Sequence, residues 1–545
     1  MILKPGQPNP YDLDLSGLKI LIIDDFVEMR SMMRRTVESF RAKTLETAKD
    51  AEEALEKMAG RKFDLVLCDY NLGDGKDGQQ ILEEAKYRKY ISSTTIWMMI
   101  TAETTVEMVM GALEYKPDEY LTKPFAKQEF AVRTLKIQAR KKELREIFLA
   151  RDKQDYVKAL DVTNEKLAHR ETLELLQIKA DLFERQNLWN EADAIYLKVL
   201  DVRSIAWAQL GHGRMLIKNH DFESAKDVLS KSIETMPALV EAYDLLASVY
   251  EKIDDNQNAQ RILEEAIEQS PKAILRQKHL ARIAYDNNNF DVAEKAYKRI
   301  IKIGKGSVHK TADDYVGLAK VYLAKKDSKN ALRILANLKE DYKHNKQALL
   351  QGLVTESDVY SNTGEGAQAS QALDAATALV KKTTVLSNTF TLDVIRIALN
   401  AKRSELADSL ITMLVKNNHE ETELHNQAKE YYVDAARSED CEKLIQKAIE
   451  EMQKIVEAGV GLVNQGTFDA AIDHFQKSSK NTPNSIKINL ALAQTLIKVM
   501  QKNRPSEKHL YLLRYSLERV AVLDAQNTLL PVLQEAYRHL GVSTQ

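Results

Sequence analysis

Five side chains in the first quarter of the sequence have types and positions that could act together: Asp24, Asp25, Asp69, Thr101 and Lys123. Each follows a short apolar run. Leu18-Lys19-Ile20-Leu21-Ile22-Ile23 ends in Asp24-Asp25, Leu65-Val66-Leu67-Cys68 ends in Asp69, Thr95 to Ile100 ends in Thr101-Ala102, and Glu119-Tyr120-Leu121-Thr122 ends in Lys123-Pro124. Runs this short and apolar on successive residues read as strands buried on both faces, and open parallel sheets keep their ligand sites at the carboxyl ends of such strands. Three carboxylates at one sheet edge would repel and raise one another's pKa unless a cation sat among them. Oxygen ligands with room for water suit Mg²⁺. A phosphoryl group arriving at Asp69 would meet that metal, the Thr101 hydroxyl and the Lys123 ammonium, which together can neutralise its oxygens. The chemistry implied is an aspartyl phosphate, with Asp69 as nucleophile.

For these residues to meet, the runs must lie side by side. Helical periodicity falls between them, over 29–40, 51–58, 80–85 and 106–113. Strands and helices alternating with short connections predict a right-handed, doubly wound α/β sheet whose strand ends converge on one edge.

In order and spacing, Asp-Asp, Asp, Thr-Ala and Tyr-Leu-Thr-Lys-Pro-Phe resemble the receiver domain of bacterial two-component response regulators, over roughly residues 17–140. The resemblance implies a flavodoxin-like, five-stranded parallel sheet. It also implies that Asp69 accepts phosphate from a histidine kinase or phosphotransfer protein. Asp24, Asp25, Asp69 and the backbone carbonyl of Asn71 would hold Mg²⁺, while Thr101 and Lys123 would read the phosphoryl group. It further implies a cis bond between Lys123 and Pro124, an aromatic switch at Tyr120 that turns inward as Thr101 moves, and a role for Asn71 and Glu103 in orienting the hydrolytic water. Tyr115-Lys116-Pro117-Asp118-Glu119 departs from the family's small turn before the last strand.

Length and composition set the outer bounds. At 545 residues the chain should hold more than one domain. With 78 basic against 80 acidic residues, no global field draws it to nucleic acid or membrane. Only 19 Gly and 10 Pro suit a mostly helical chain, and two distant cysteines give no disulfide framework. Residues 1–16 read as a loose arm without the features of a signal peptide, and no apolar run is long enough for a membrane span. The expected location is a bacterial cytoplasm.

Residues 127–180 contain no Gly or Pro and read as one or two long helices, with 141–171 a linker between domains. Arg133, Lys136, Arg140, Lys141, Lys142, Arg145, Arg151 and Lys153 make this stretch basic. A solvated helix face is the favoured reading, because Glu143, Glu146 and Asp152 interleave. Nucleic-acid contact and a coiled-coil homodimer seam are alternatives.

Beyond the linker the sequence repeats. Ala192, Ala225, Ala259, Ala293 and Ala331 are 33, 34, 34 and 38 positions apart, and four residues after each stands Tyr196, Leu229, Leu263, Tyr297 or Leu335. Small residues where helices cross, with bulky ones in the next layer, predict stacked helix hairpins. The pattern resembles the tetratricopeptide repeat and implies an all-α superhelical solenoid over 172–344. Divergent units follow over 345–500, around Ala369, Ala407 and Gly459 to Pro483, and closing helices over 501–545. Carried over from the repeat, Trp207, Lys278, Arg282, Tyr285 and Lys320 should face a concave groove suited to an acidic, partly apolar peptide. No catalytic motif follows the receiver, so the chain is expected not to be an enzyme beyond its own phosphorylation and dephosphorylation. The expected function is a phosphorylation-dependent regulator signalling through a protein-binding solenoid. The alternatives are an RNA- or DNA-binding regulator and a scaffold whose receiver is never phosphorylated.

Overall fold

The apolar runs become a parallel sheet in the computed structural model, which describes residues 9–73, 75–102, 116–380, 386, 388–502, 506–524 and 527–539. Strands β1 (Lys19–Ile23), β2 (Thr44–Ala48), β3 (Leu65–Asp69), β4 (Ile96–Thr101) and β5 (Glu119–Thr122) lie in the order β2-β1-β3-β4-β5, each pair parallel. The central strands β3 and β4 are buried at every residue, as two-faced burial demands. The edge strand β2, Thr-Leu-Glu-Thr-Ala, buries only Ala48 fully, which is why no apolar run announces it.

Helices α1 (Val27–Glu38), α2 (Ala51–Gly60) and α3 (Gly78–Tyr87) follow β1, β2 and β3. Asp50 caps α2 by accepting from the Glu53 N–H at 2.9 Å, and Asp77 opens α3 in a reciprocal box with Gln80. A Cβ on Gly78 would lie 2.2 Å from the Asp69 carbonyl oxygen, so glycine there lets α3 start hard against the end of β3. Alternate strand residues feed two cores. Leu21, Ile23, Val66, Cys68, Trp97 and Met99 face α2 and α3. Ile20, Ile22, Leu65, Leu67, Met98 and Ile100 face α1 and the helix Lys127–Glu143. The helix expected over 106–113 lies outside the described residues.

Two expectations need correction. The arm is not loose throughout, because Leu13 and Leu15 are buried and the Leu15 N–H donates to the Phe40 carbonyl at 2.9 Å. Nor do long helices join the halves. The stretch 127–185 forms four helices, Lys127–Glu143, Arg145–Asp152, Tyr156–His169 and Leu173–Arg185. The first break is at Leu144, which leaves helical geometry at φ −95°, ψ 5°; the second is at Gln154, which is left-handed at φ 60° ahead of the Asp155 cap. Leu144, Ile147 and Phe148 share a core with Ala159, Leu175 and Ile178, so the expected linker is a packed hairpin.

The chain divides into two compact units, 1–321 and 322–545. In the first, the hairpin turns carry left-handed residues at Gln154, Asn187, His220, Asp254 and Asn288, spaced 33, 33, 34 and 34. The repeat therefore starts one hairpin earlier than Ala192, with the buried Ala159 33 positions before it. In the second, left-handed residues stand at Lys326, Gly364, Lys402, Ala436 and Gly466, spaced 38, 38, 34 and 30. The periodic alanines 192, 225, 259, 293 and 331 are all fully buried, and Ala369 and Ala407 are buried too. Where an aromatic replaces the aliphatic partner, the facing helix carries glycine. A Cβ on Gly211 or Gly317 would meet the ring of Tyr196 or Tyr297 at 2.3 Å, and one on Gly459 would meet Phe475 at 2.2 Å.

Candidate functional site

The carboxyl ends of β1, β3, β4 and β5 bring the predicted residues to one edge. Carboxylate oxygens of Asp24, Asp25 and Asp69 all lie within 4.8 Å of one another. Asp24 is fully buried, Asp69 is 6% exposed and Thr101 1% exposed. Lys123 reaches across, its Nζ 2.8 Å from Asp24 Oδ2 and 3.0 Å from Asp69 Oδ2. Its backbone N–H donates to the Thr101 carbonyl at 2.7 Å, and the Lys123–Pro124 bond is cis as the resemblance implies.

Burial raises the Asp69 pKa above the usual carboxylate range; Lys123 opposes this and the Asp24 charge adds to it. For Lys123, burial alone would lower the pKa, but its bonds to Asp24 and Asp69 outweigh that and hold the ammonium charged. Asp25 Oδ1 is buried with no hydrogen-bond partner. A buried orphan oxygen beside two more carboxylates is a donor set that fits a hard divalent cation. Asp24, Asp25 and Asp69 would hold Mg²⁺ there, with the Asn71 carbonyl implied by resemblance, and the bound ion would offset the charge on phosphoryl oxygens. Asn71 opens the exposed loop after β3, where Gly73 at φ 67° would bring a Cβ within 3.3 Å of Asp25 Oδ2. Glu103 lies outside the described residues.

The switch position, Tyr120, packs its ring against the core on the α2 and α3 face. Its hydroxyl is buried beside the Gln79 side chain, and burial pushes its pKa up to about 12.

Comparison with known proteins agrees with this geometry. Residues 20–134 match the response regulator receiver domain, and residues 240–272 match the tetratricopeptide repeat. Chemotaxis protein CheY-3 of Vibrio cholerae serotype O1 is 29% identical over 109 residues, covering 20% of this chain and 82% of that protein. Response regulator MprA of Mycobacterium ulcerans is 32% identical over 117 residues, covering 22% of this chain and 48% of MprA. Among solved structures, the C-terminal part of a TPR repeat-containing protein from Cytophaga hutchinsonii is 14% identical, with a TM-score of 0.37, and covers 44% of this chain and 96% of that one. Fold, site and matches define a CheY-like receiver of the response regulator class. This chain fuses that receiver to a tetratricopeptide-type helical solenoid.

The expected groove is less uniform than its sequence implies. Trp207 lines a cavity of about 1000 Å³ and stacks edge-on to Tyr196 at 6.0 Å. Lys278, Arg282, Tyr285 and Lys320 do not line that cavity. Lys278 bonds Asp314 at 2.9 Å and Thr311 Oγ1 at 3.0 Å, Arg282 pairs with Glu251, and Tyr285 packs on Phe290 at 5.7 Å. The cavity is also lined by Lys86, Lys116, Arg214, which pairs with Glu184 at 3.1 Å and Glu241 at 3.0 Å, and Arg276, paired with Asp244 at 2.7 Å. Both arginines thus already have acidic partners within the chain.

Within the basic stretch 133–151, Lys141 pairs with Asp118 at 2.8 Å and donates to the Ser93 carbonyl at 3.2 Å, Arg133 pairs with Glu119 and Glu129, and Arg140 with Glu174. These cations bond within the protein, so the expected solvated face needs correction at Lys141, whose side chain is only 11% exposed. Cys68 and Cys441 are both free and buried. Among the described residues no helix is long and apolar enough to cross a membrane.

Proposed function

We propose that this chain is a phosphorylation-dependent response regulator, taking a phosphoryl group onto Asp69 from a histidine kinase or phosphotransfer protein and signalling through its helical repeats to a protein partner. The observation that carries the reading is the Lys123 ammonium held between Asp24 and Asp69, 2.8 and 3.0 Å away, beside a buried threonine. In-line attack by the Asp69 carboxylate on a phosphorus donor builds charge on the transferring oxygens. Lys123 and Thr101 already stand at that edge, so little reorganisation is needed as the charge develops. Burial of Asp69 keeps bulk water from competing for its oxygens. A cytoplasmic location follows from this role. The solenoid supplies binding surface rather than chemistry, and the receiver catalyses only the formation and loss of its own acyl phosphate.

The test is incubation with acetyl phosphate and Mg²⁺ followed by intact mass measurement. The wild-type chain is expected to gain one phosphoryl group that is hydrolysed on standing once acetyl phosphate is removed, while Asp69→Asn gains none. Equal labelling of the two would refute the assignment.

A further inference from the structure

At its carboxyl ends the sheet holds the acid cluster; at its amino ends it meets a cleft of the opposite sign. Because the five strands are parallel, Lys62 ahead of β3, Ser93 ahead of β4 and Lys116 ahead of β5 lie at the edge away from Asp69. The helices Arg145–Asp152 and Leu173–Arg185 close the other side, leaving a cleft of about 1020 Å³.

Among the described residues that line this cleft, eight are basic and four acidic. The acids are already in use. Asp118 pairs with Lys141 at 2.8 Å, Asp181 with Arg185 at 2.8 Å and Glu174 with Arg140, while Asp152 accepts the Ser93 N–H at 2.8 Å. Lys62, Lys89 and Lys116 pair with no carboxylate among the described residues. Lys62 instead donates to the carbonyls of Lys89 and Tyr90, the latter at 2.9 Å, and Lys86 donates to the Lys116 carbonyl at 3.2 Å. Such a bond occupies one of three ammonium protons and leaves the charge uncancelled. Burial lowers the Lys86 pKa, and the charges of Lys141 and Lys116 lower it further against the pull of Asp118. The cations therefore repel one another across the cleft, a cost that an anion between them removes. Trp97 also lines the cleft; it is 2% exposed, and its indole Nε1 has no hydrogen-bond partner among the described residues. Uncancelled charge and an unmet buried donor have one remedy in common, an oxygen-rich anion.

We infer that this cleft binds a small molecule carrying two or more phosphate groups, held by Lys62, Lys89 and Lys116. Three unpaired ammonium groups match such a ligand in charge, and the volume is that of a large small-molecule site. Phe148 and Ile178, both buried, give the same space an apolar wall against which a base or other ring can lie. Lys86 and Lys116 also line the cavity beside Trp207, so a ligand here stands next to the space open to a protein partner. The site is separate from Asp69 and needs no phosphoryl group there.

Calorimetric titration of the full chain in chelator, where the acid cluster has no Mg²⁺ with which to take phosphate, tests this with ATP, inorganic triphosphate and a single-stranded oligonucleotide as probes. ATP and triphosphate are expected to bind at a single site with a Kd of roughly 100 μM or tighter. Their binding should weaken as salt is raised. Lys89→Glu with Lys116→Glu should weaken it roughly tenfold or more, while phosphorylation of Asp69 by acetyl phosphate and Mg²⁺ stays intact. Lys89→Arg with Lys116→Arg should keep it. The Trp97 indole signal, one of three in the ¹⁵N spectrum, should move on binding. Tighter binding of ATP than of triphosphate would assign a share to the apolar wall, and equal binding would assign it all to the phosphates. The inference is overturned by no binding up to about 1 mM, by an unmoved Trp97 signal, or by the oligonucleotide binding more tightly than ATP. An equal loss from Lys477→Glu with Lys480→Glu, exposed lysines of the helix Phe468–Asn481, would also overturn it.

Discussion

At the scale of single residues, the site is a problem of uncompensated charge. Asp24 is fully buried and Asp69 nearly so, and Lys123 bonds both carboxylates. Replacing it by methionine keeps much of the stem's packing but leaves two buried acids facing each other. Removing one partner of a buried ion pair costs on the order of 3 kcal/mol, because the remaining charge keeps its desolvation penalty. Lys123→Met is therefore expected to lower the receiver's thermal midpoint in chelator and to recover part of the loss on adding Mg²⁺, since a cation among the acids replaces the missing charge. Phosphorylation from acetyl phosphate should stay impaired in both conditions. Full stability of the variant in chelator would show that the ammonium matters only to the chemistry. The residues of this site were legible because each closes an apolar strand, a signal local in sequence. The buried hydroxyl of Tyr120 and the Gln79 amide beside it were not, because their burial depends on packing of β5 against the start of α3, which no local pattern encodes.

At the scale of elements, the solenoid follows from small residues at helix crossings, and its glycines make that requirement measurable. In a helix interior, Gly→Ala ordinarily gains about 1 kcal/mol. At Gly211 the added methyl would sit 2.3 Å from the Tyr196 ring, held by a neighbouring helix and by the tyrosine's bond to Glu184 at 2.5 Å, so the ring cannot simply move aside. Overpacking of that kind costs about 1–3 kcal/mol, which exceeds the propensity gain. Gly461→Ala adds a methyl with nothing within 4 Å and serves as the counterpart. Calorimetric unfolding should show Gly211→Ala destabilised and Gly461→Ala unchanged or slightly stabilised. The same sign for both would mean the notch is not a packing constraint. The alanine ladder announced the repeats from residue 192 onward; the first hairpin, 145–169, continues it backward with the fully buried Ala159, 33 positions before Ala192, but has Thr163 where the later units place a large side chain four residues on. The edge strand β2 was hidden for the opposite reason, since a half-solvated strand of Thr and Glu has no apolar run to read.

At the scale of the molecule, the receiver is tied to the repeats more firmly than a fusion of separate modules would be. Besides the bonds of Gln80 and Glu83 in α3 to Ile303 and His309, a second seam holds the loop before β4. Lys141 reaches Asp118 at 2.8 Å, Asp152 accepts the Ser93 N–H at 2.8 Å, and Arg151 donates to Ser93 Oγ at 3.0 Å. Asp118 also receives the Trp97 N–H at 2.8 Å, so the departure from the family's small turn before β5 supplies an anchor for this seam. Burial lowers the Lys141 pKa, against the pull of Asp118, as expected for a cation enclosed in a packed interface rather than spread on a solvated surface. Cutting the chain at residue 140 removes all three partners and leaves Asp118 without its cation. A fragment of residues 9–140 is therefore expected to unfold roughly 5–10 °C below the receiver in a fragment of residues 9–202, the shift that a loss of one to two kcal/mol produces in a domain of about this size. Near-ultraviolet circular dichroism, which reports the environment of buried Trp97, follows the receiver in both fragments. Equal midpoints would show that the receiver folds indifferently to the first hairpins.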